Sequence, residues 1–234
     1  MKIDDQRIRD AVSKTEILRL PRQELTTFGV TNIAYYVVTE PVYSETTKKC
    51  SETVIRDGRV IAERPRIVTP YYMSQLEGFS GDARKYFEDM VNEYGANTPG
   101  LYYTYRNKPG NLKIVDGELR TVVDRLNKDI DERGDLLVTI IKGQDELWDI
   151  SLMRFIYEIT RNSMQGNLSQ LESRGLLDVD AGGVPMDARL RIEEMFVRLA
   201  GGEIKPNELK DELERWNLFE EYQDRFLAMF RRRL

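Results

Sequence analysis

The carboxylates most suggestive of chemistry lie in the segment GQDELWD, where Asp145 and Asp149 are four residues apart. On a helix that spacing puts both on one face, close enough to share a magnesium ion with Glu146 or Asp135 nearby. Acids in a first helical turn also offset the helix dipole, and Asp145 suits an N-cap, so the same residues have a purely structural use. Histidine is absent from the chain. Its absence removes Ser-His-Asp and Cys-His nucleophiles, histidine general bases and nearly all zinc catalysis. Carboxylate, lysine, tyrosine or magnesium chemistry remains, and a magnesium-dependent phosphate-processing enzyme at Asp145 and Asp149 is one expectation. The single cysteine, Cys50 in ETTKKCSE, permits no internal disulfide and too few thiolates for a zinc cluster. No Walker loop, GxGxxG, GxSxG or HExxH motif is present.

A second group is aromatic and basic. Tyr71 and Tyr72 form a pair, and YYTYRNK carries Tyr103, Tyr105, Arg106 and Lys108. Tyrosine and arginine are enriched in interface hot spots, and aromatic rings with cations also form stacking platforms for single-stranded nucleic acid. On a strand, Tyr103 and Tyr105 point to one side and Tyr102 and Arg106 to the other, so one of these faces belongs to the core.

The third group is GNLSQLESRGLL followed by DVDAGGVP. A short polar helix, an LExRGLL ending and a Gly-Gly turn over residues 162–184 resemble the recognition helix and wing of winged-helix DNA-binding domains. The resemblance implies that Gln165, Asn167 and Gln170 face duplex DNA. Two features depart from the pattern. The returning wing arm is only Val184 before Pro185, and the stretch carries Arg174 against Glu172, Asp178 and Asp180, where DNA-facing elements bring cations to phosphate. An amphipathic helix with a glycine C-cap accounts for the same residues.

These groups need elements to hold them. Residues 3–18 read as a helix with Ile8, Ala11 and Val12 inward, ended near Pro21. The β-branched, aromatic run after Thr31 predicts a strand over 31–39. Asp57 and Gly58 between two apolar arms predict a hairpin with strands 52–57 and 59–68, and TTKKCSE is a loop. Residues 82–94 read as a helix stopped at Gly95, LYYTYR as a strand before an NKPGN turn, and 118–132 as a helix. The run 135–142 fits strand or helix equally. Helices follow over 146–163, 187–200 and from Pro206 onward, the last with Leu209, Leu213, Trp216, Phe219, Tyr222, Phe226 and Met229 inward. The three arginines ending at Arg233 complement that last helix's dipole.

The fold class expected is α+β, an N-terminal β-hairpin or small mixed sheet with helices, then an all-helical C-terminal half. The division expected is an α+β region with antiparallel sheet over 1–134 and a helical region over 135–234, possibly packed as one domain. A hydrophobic share of 41% against 32% charged residues fits a globular protein, and no run approaches the ~20 apolar residues of a membrane span. The N-terminus lacks a signal-peptide core, so the expected location is cytoplasmic. Net charge is −5 and evenly spread, which argues against duplex DNA or an anionic membrane as a bulk electrostatic partner. The expected function is therefore a soluble, non-catalytic protein-interaction or assembly protein without cofactor, binding a protein partner or a second copy as a homo-oligomer. Nucleic-acid association, through 162–184 or a tyrosine-arginine single-strand surface, is the alternative, and the magnesium enzyme a further one.

Overall fold

The β-branched run Thr31–Thr39 forms β2, a strand at the heart of the computed structural model, which describes residues 2–41, 52–75, 92–93 and 95–231. The protein is α+β, with a mixed sheet and a chain that is helical beyond Trp148. By contact it divides into two units, residues 1–64 with 103–167 and residues 65–102 with 168–234. The units interleave along the sequence, and β7 (Val138–Gly143), which lies beyond residue 134, is a strand of the first unit's sheet.

In the first unit, α1 (Lys2–Lys14) leads into β1 (Glu16–Arg19), and β3 (Glu52–Ala62) and β6 (Tyr105–Asp116) complete a five-stranded sheet of order β1-β7-β2-β3-β6. Pairing is antiparallel except between β2 and β7, which run parallel with Val37 beside Ile141. The run left open between strand and helix is thus a strand. Val138, Thr139, Ile140 and Ile141 are all buried, so no alternation marks them, as expected of a strand covered on both faces. On one face α3 (Leu119–Arg133) packs Val122, Val123 and Ile130 against Val38, Ile55 and Ile140. On the other, α4 (Trp148–Glu172) packs Leu152, Phe155, Ile156 and Ile159 against Ile33, Tyr35, Val37, Val60 and Ile141. Each fully buried side chain of this size contributes about 1.5–3 kcal/mol.

In the second unit, β4 (Arg66–Val68) pairs antiparallel with β5 (Gly100–Tyr102), and α2 (Pro70–Ser74) begins on a Thr69 cap. Its core joins Val68 and Tyr72 to Ile192 and Phe196 of α5 (Met186–Ala200), Leu209 and Leu213 of α6 (Pro206–Arg215), Trp216, and Phe226 of α7 (Phe219–Arg231).

Several expectations are corrected. The N-terminal helix stops at Lys14, Glu16–Arg19 is a strand beside β7, and Ala11 is buried while Ile8 and Val12 are exposed. The two helices expected from residue 146 to the Gly175 cap are one, α4, and the long final helix breaks at Asn217. There Asn217 adopts a left-handed φ of 56°, and the Leu218 amide donates to the Leu213 carbonyl at 2.8 Å. This is a Schellman-type stop in which asparagine replaces glycine. The expected helix 82–94, apart from Asn92 and Glu93, and the TTKKCSE loop up to Ser51, with Cys50, lie outside the described residues, as do Arg232 and Arg233. Among the described residues no helix is long and apolar enough to cross a membrane.

The largest correction concerns the hairpin. Asp57 and Gly58 lie inside β3, opposite the expected NKPGN turn, which is itself inside β6. Gly58 pairs with Tyr35 on one side and Pro109 on the other, and the β3/β6 register shifts between Arg56 and Gly58. The Asp57 carboxylate accepts the Asn111 amide at 2.7 Å, satisfying a donor at the bulge. Glycine is needed here for space: a Cβ would sit 2.3 Å from the Tyr35 hydroxyl oxygen and 2.8 Å from the Lys108 carbonyl oxygen. Gly58→Ala is therefore expected to destabilise the protein by about 1–3 kcal/mol in urea unfolding. The cost should couple to Tyr35 in a Gly58→Ala/Tyr35→Leu double-mutant cycle; strict additivity would mean that the clash is not the cause.

Candidate functional site

Asp145 follows β7 in the turn before α4 and is held by two donors. Arg56 Nη1 donates to its Oδ1 at 2.6 Å and the Thr39 hydroxyl donates to the same atom at 2.7 Å. The Arg56 guanidinium also lies 5.9 Å from the Trp148 ring centroid. Asp149 is exposed in the first turn of α4, where its Oδ1 accepts the Ile150 amide at 3.0 Å. The other two acids are engaged as well, Glu146 with Arg7 at 3.2 Å and Asp135 with Arg133 at 3.3 Å. Among the described residues no group of three or more acidic or thiol side chains could hold a metal ion. A cleft of about 540 Å³ beside Asp145 opens at the carboxyl ends of β2 and β7, a position that suits ligands in sheets with parallel strands. Its walls carry both signs of charge, and these pair with each other, Arg7 with Glu146 and Lys142 with Glu16.

The aromatic and basic residues are separated by strand alternation. Tyr103 and Tyr105 stack at 6.4 Å on the α4 side of the sheet and pack against the core there. The Tyr103 hydroxyl accepts from Asn167 Nδ2 at 2.9 Å, and the Tyr105 hydroxyl bonds with that of Thr160. Burial pushes both phenols above their ordinary pKa. Arg106 and Lys108 point to the opposite face, beside Ile61 and Arg59 of β3, and are exposed. No surface thus combines these rings with these cations. In the second unit Tyr72 is 5% exposed and belongs to the core, which corrects its expected place on an interaction surface. Tyr71 beside it is half-buried, and its amide donates to the Ala96 carbonyl.

The winged-helix-like stretch has no separate recognition helix, because α4 continues through Gly166 to Glu172. Asn167, expected to face DNA, is 1% exposed, accepting from the Thr27 hydroxyl at 2.8 Å while donating to Tyr103. Gly175, at φ 67°, ends the helix with the Leu176 amide bonded to the Leu171 carbonyl. What stood for a wing is a single bridge between Val179 and Pro185. Asp180 closes the turn, accepting the Gly182 and Val184 amides and the Arg189 Nε and Nη2 groups at 2.6–3.0 Å.

A buried carboxylate in the second unit carried no sequence signal. Glu212 of α6 is 3% exposed and accepts from the Tyr72 hydroxyl at 3.0 Å, from Trp216 Nε1 at 3.2 Å and from Arg191 Nη2. Arg215 lies 3.8 Å from its other oxygen. Burial alone would raise the Glu212 pKa, but Arg191, Tyr72 and Trp216 together outweigh it and hold the carboxyl below the ordinary range. Burial and the Glu212 charge push the Tyr72 phenol up. This cluster ties α2, α5 and α6 together inside a core.

The outer face of α4 exposes large apolar side chains. Met153, Tyr157 and Met164 are 64%, 68% and 44% exposed. At 100° per residue they fall within about 40° of one another, turned away from the face that buries Phe155 and Ile159.

Glu212→Gln leaves the Arg191 charge buried without its counter-ion and is expected to cost about 3–5 kcal/mol at neutral pH. Because the folded carboxyl is depressed, its contribution is complete above the ordinary carboxylate range and lost as pH falls through the depressed value. Urea titrations from pH 7 to pH 3 should show a shallower acid loss in Glu212→Gln than in the wild type; identical acid slopes would refute the assignment. In comparisons with family models, curated proteins and solved structures, the chain matches none.

Proposed function

We propose that the protein acts by assembly, associating with a second copy of itself through the outer face of α4. The observation that supports this reading is the apolar stripe of Met153, Tyr157 and Met164 on a helix whose other face is already committed to the sheet. Scattered apolar side chains on a surface are ordinary, whereas three large ones aligned on one helical face form a contact patch. Methionine adapts to an irregular partner surface, and tyrosine is a frequent anchor of interfaces.

The spacing also suits self-association. Two-fold contacts place the same patch on both subunits. Met153 and Met164 are symmetric about the point between Glu158 and Ile159, and Tyr157 and Thr160 flank that point. An antiparallel copy of α4 therefore sets each Met153 against a Met164, with Tyr157 near the centre, and brings no pair of like charges together on the axis.

Binding rather than catalysis also accords with the placement of the acids, since Asp145 is engaged by Arg56 and Thr39. The nucleic-acid reading gains no support: Asn167 is buried, and Tyr103 and Tyr105 face away from Arg106 and Lys108.

Size-exclusion chromatography with light scattering at tens of micromolar is expected to give a dimer. Tyr157→Ser with Met153→Ser should weaken it at least tenfold without lowering the thermal midpoint of the monomer, since both side chains are exposed. A wild-type monomer at 100 µM would overturn the proposal.

A further inference from the structure

We infer a second binding surface, independent of α4: the outer edge of β6, which pairs with no further strand among the described residues, takes an extended peptide in which acidic and apolar residues alternate, adding it as a further strand. β6 is the last strand of the sheet, and residues 106–114 are exposed throughout. A terminal strand presents unpaired N–H and C=O groups along its outer edge, a template for another strand.

The side chains flanking that edge differ between the two faces. Lys113 lies opposite Ile55, which packs under α3, and Lys108 lies opposite Arg59, so these cations share the α3 side. Leu112 lies opposite Arg56, which reaches the Trp148 ring, and Ile114 lies opposite Val54, so these apolar residues share the α4 side. Leu112 and Ile114 are 57% and 55% exposed.

The lysines on the α3 side have no ion-pair partner among the described residues. Arg59 and Lys108 face each other directly in the register, and like charges so placed are destabilising. Among the described ion pairs none involves Arg59, Lys108 or Lys113, while Arg106 is paired with Glu63, and Asp57 is occupied by the Asn111 amide. A strand laid along β6 with acids on the α3 side and apolar residues on the α4 side would answer both faces at once.

Other occupants fit less well. A second β6 would bring the same cations edge to edge. A nucleic acid would meet the cations, leaving Leu112, Ile114 and the backbone donors unused. Lysine and proline on an edge strand also discourage unspecific pairing, and Pro109 with its bulge interrupts the ladder between Lys108 and Leu112. The recognition is thereby limited to a segment that supplies the acids.

The test is fluorescence anisotropy of the full chain with a labelled octapeptide of alternating Glu and Val. Binding is expected, weakened at least tenfold by Lys108→Glu with Lys113→Glu, weakened by Leu112→Glu, and lost when alternate peptide amides are N-methylated. The exposed positions leave the fold intact, which circular dichroism checks. The inference is overturned by any of three results: no binding to millimolar peptide, equal binding of a Glu4Val4 block peptide, or tighter binding of an oligothymidine than of the alternating peptide. Tyr157→Ser should leave peptide affinity unchanged, so failure of the α4 reading and failure of this one are separately visible.

Discussion

A parallel pair of strands in the interior of a sheet must be covered on both faces, and the first unit is organised around that constraint. β2 and β7 lie side by side with every paired residue buried or half-buried, so neither face can be left to water. α3 supplies one cover and α4 the other, and each is amphipathic for that reason. The constraint also explains the exposed stripe on α4, because a helix with only one apolar face against the sheet has no internal use for Met153 and Tyr157. β1 and β6, at the two edges, are free of this demand, and β6 in particular carries charge, proline and a bulge.

The fold class was legible because local periodicity carries it. α3 and the helices after Met186 have apolar residues at helical spacing, and β2 is a β-branched run, so their existence required no knowledge of partners. β7 was ambiguous for a physical reason: burial on both faces erases the alternation that distinguishes a strand. Asp57 and Gly58 misled because turn chemistry and close approach both select glycine, and only the Tyr35 ring, 23 residues earlier in the chain by position, decides between them. The break at Asn217 was hidden because the same inward residues serve one helix or two.

The side-chain clusters were the least readable part. Asp145 and Asp149 suggested a shared ligand, but the partner that settles Asp145 is Arg56, 89 residues away. Tyr72 and Glu212 are 140 residues apart, and neither is remarkable in its own segment. Most of the described ion pairs join residues brought together by topology, and fewer join residues at helical spacing. The arginine surplus, 24 against 11 lysines, is used in this way by Arg189, whose Nε and Nη2 both donate to Asp180, a forked contact that a single point charge makes less well.

The interleaving of the two units bears on how the chain reaches its native state. β3 and β6 are neighbours in the sheet, yet the whole first segment of the second unit lies between them in sequence, and β2 pairs with β7 from about 100 residues downstream. Contacts of such range slow folding, since the loop must close before the pairing rewards it. During synthesis β2 and β3 emerge as an incomplete sheet whose faces wait for α3 and α4, and no single cut in the chain releases either unit whole. The first unit therefore matures only after residue 143 and the start of α4 have appeared, so early termination anywhere before that point leaves an apolar sheet uncovered, a substrate for chaperones or for aggregation.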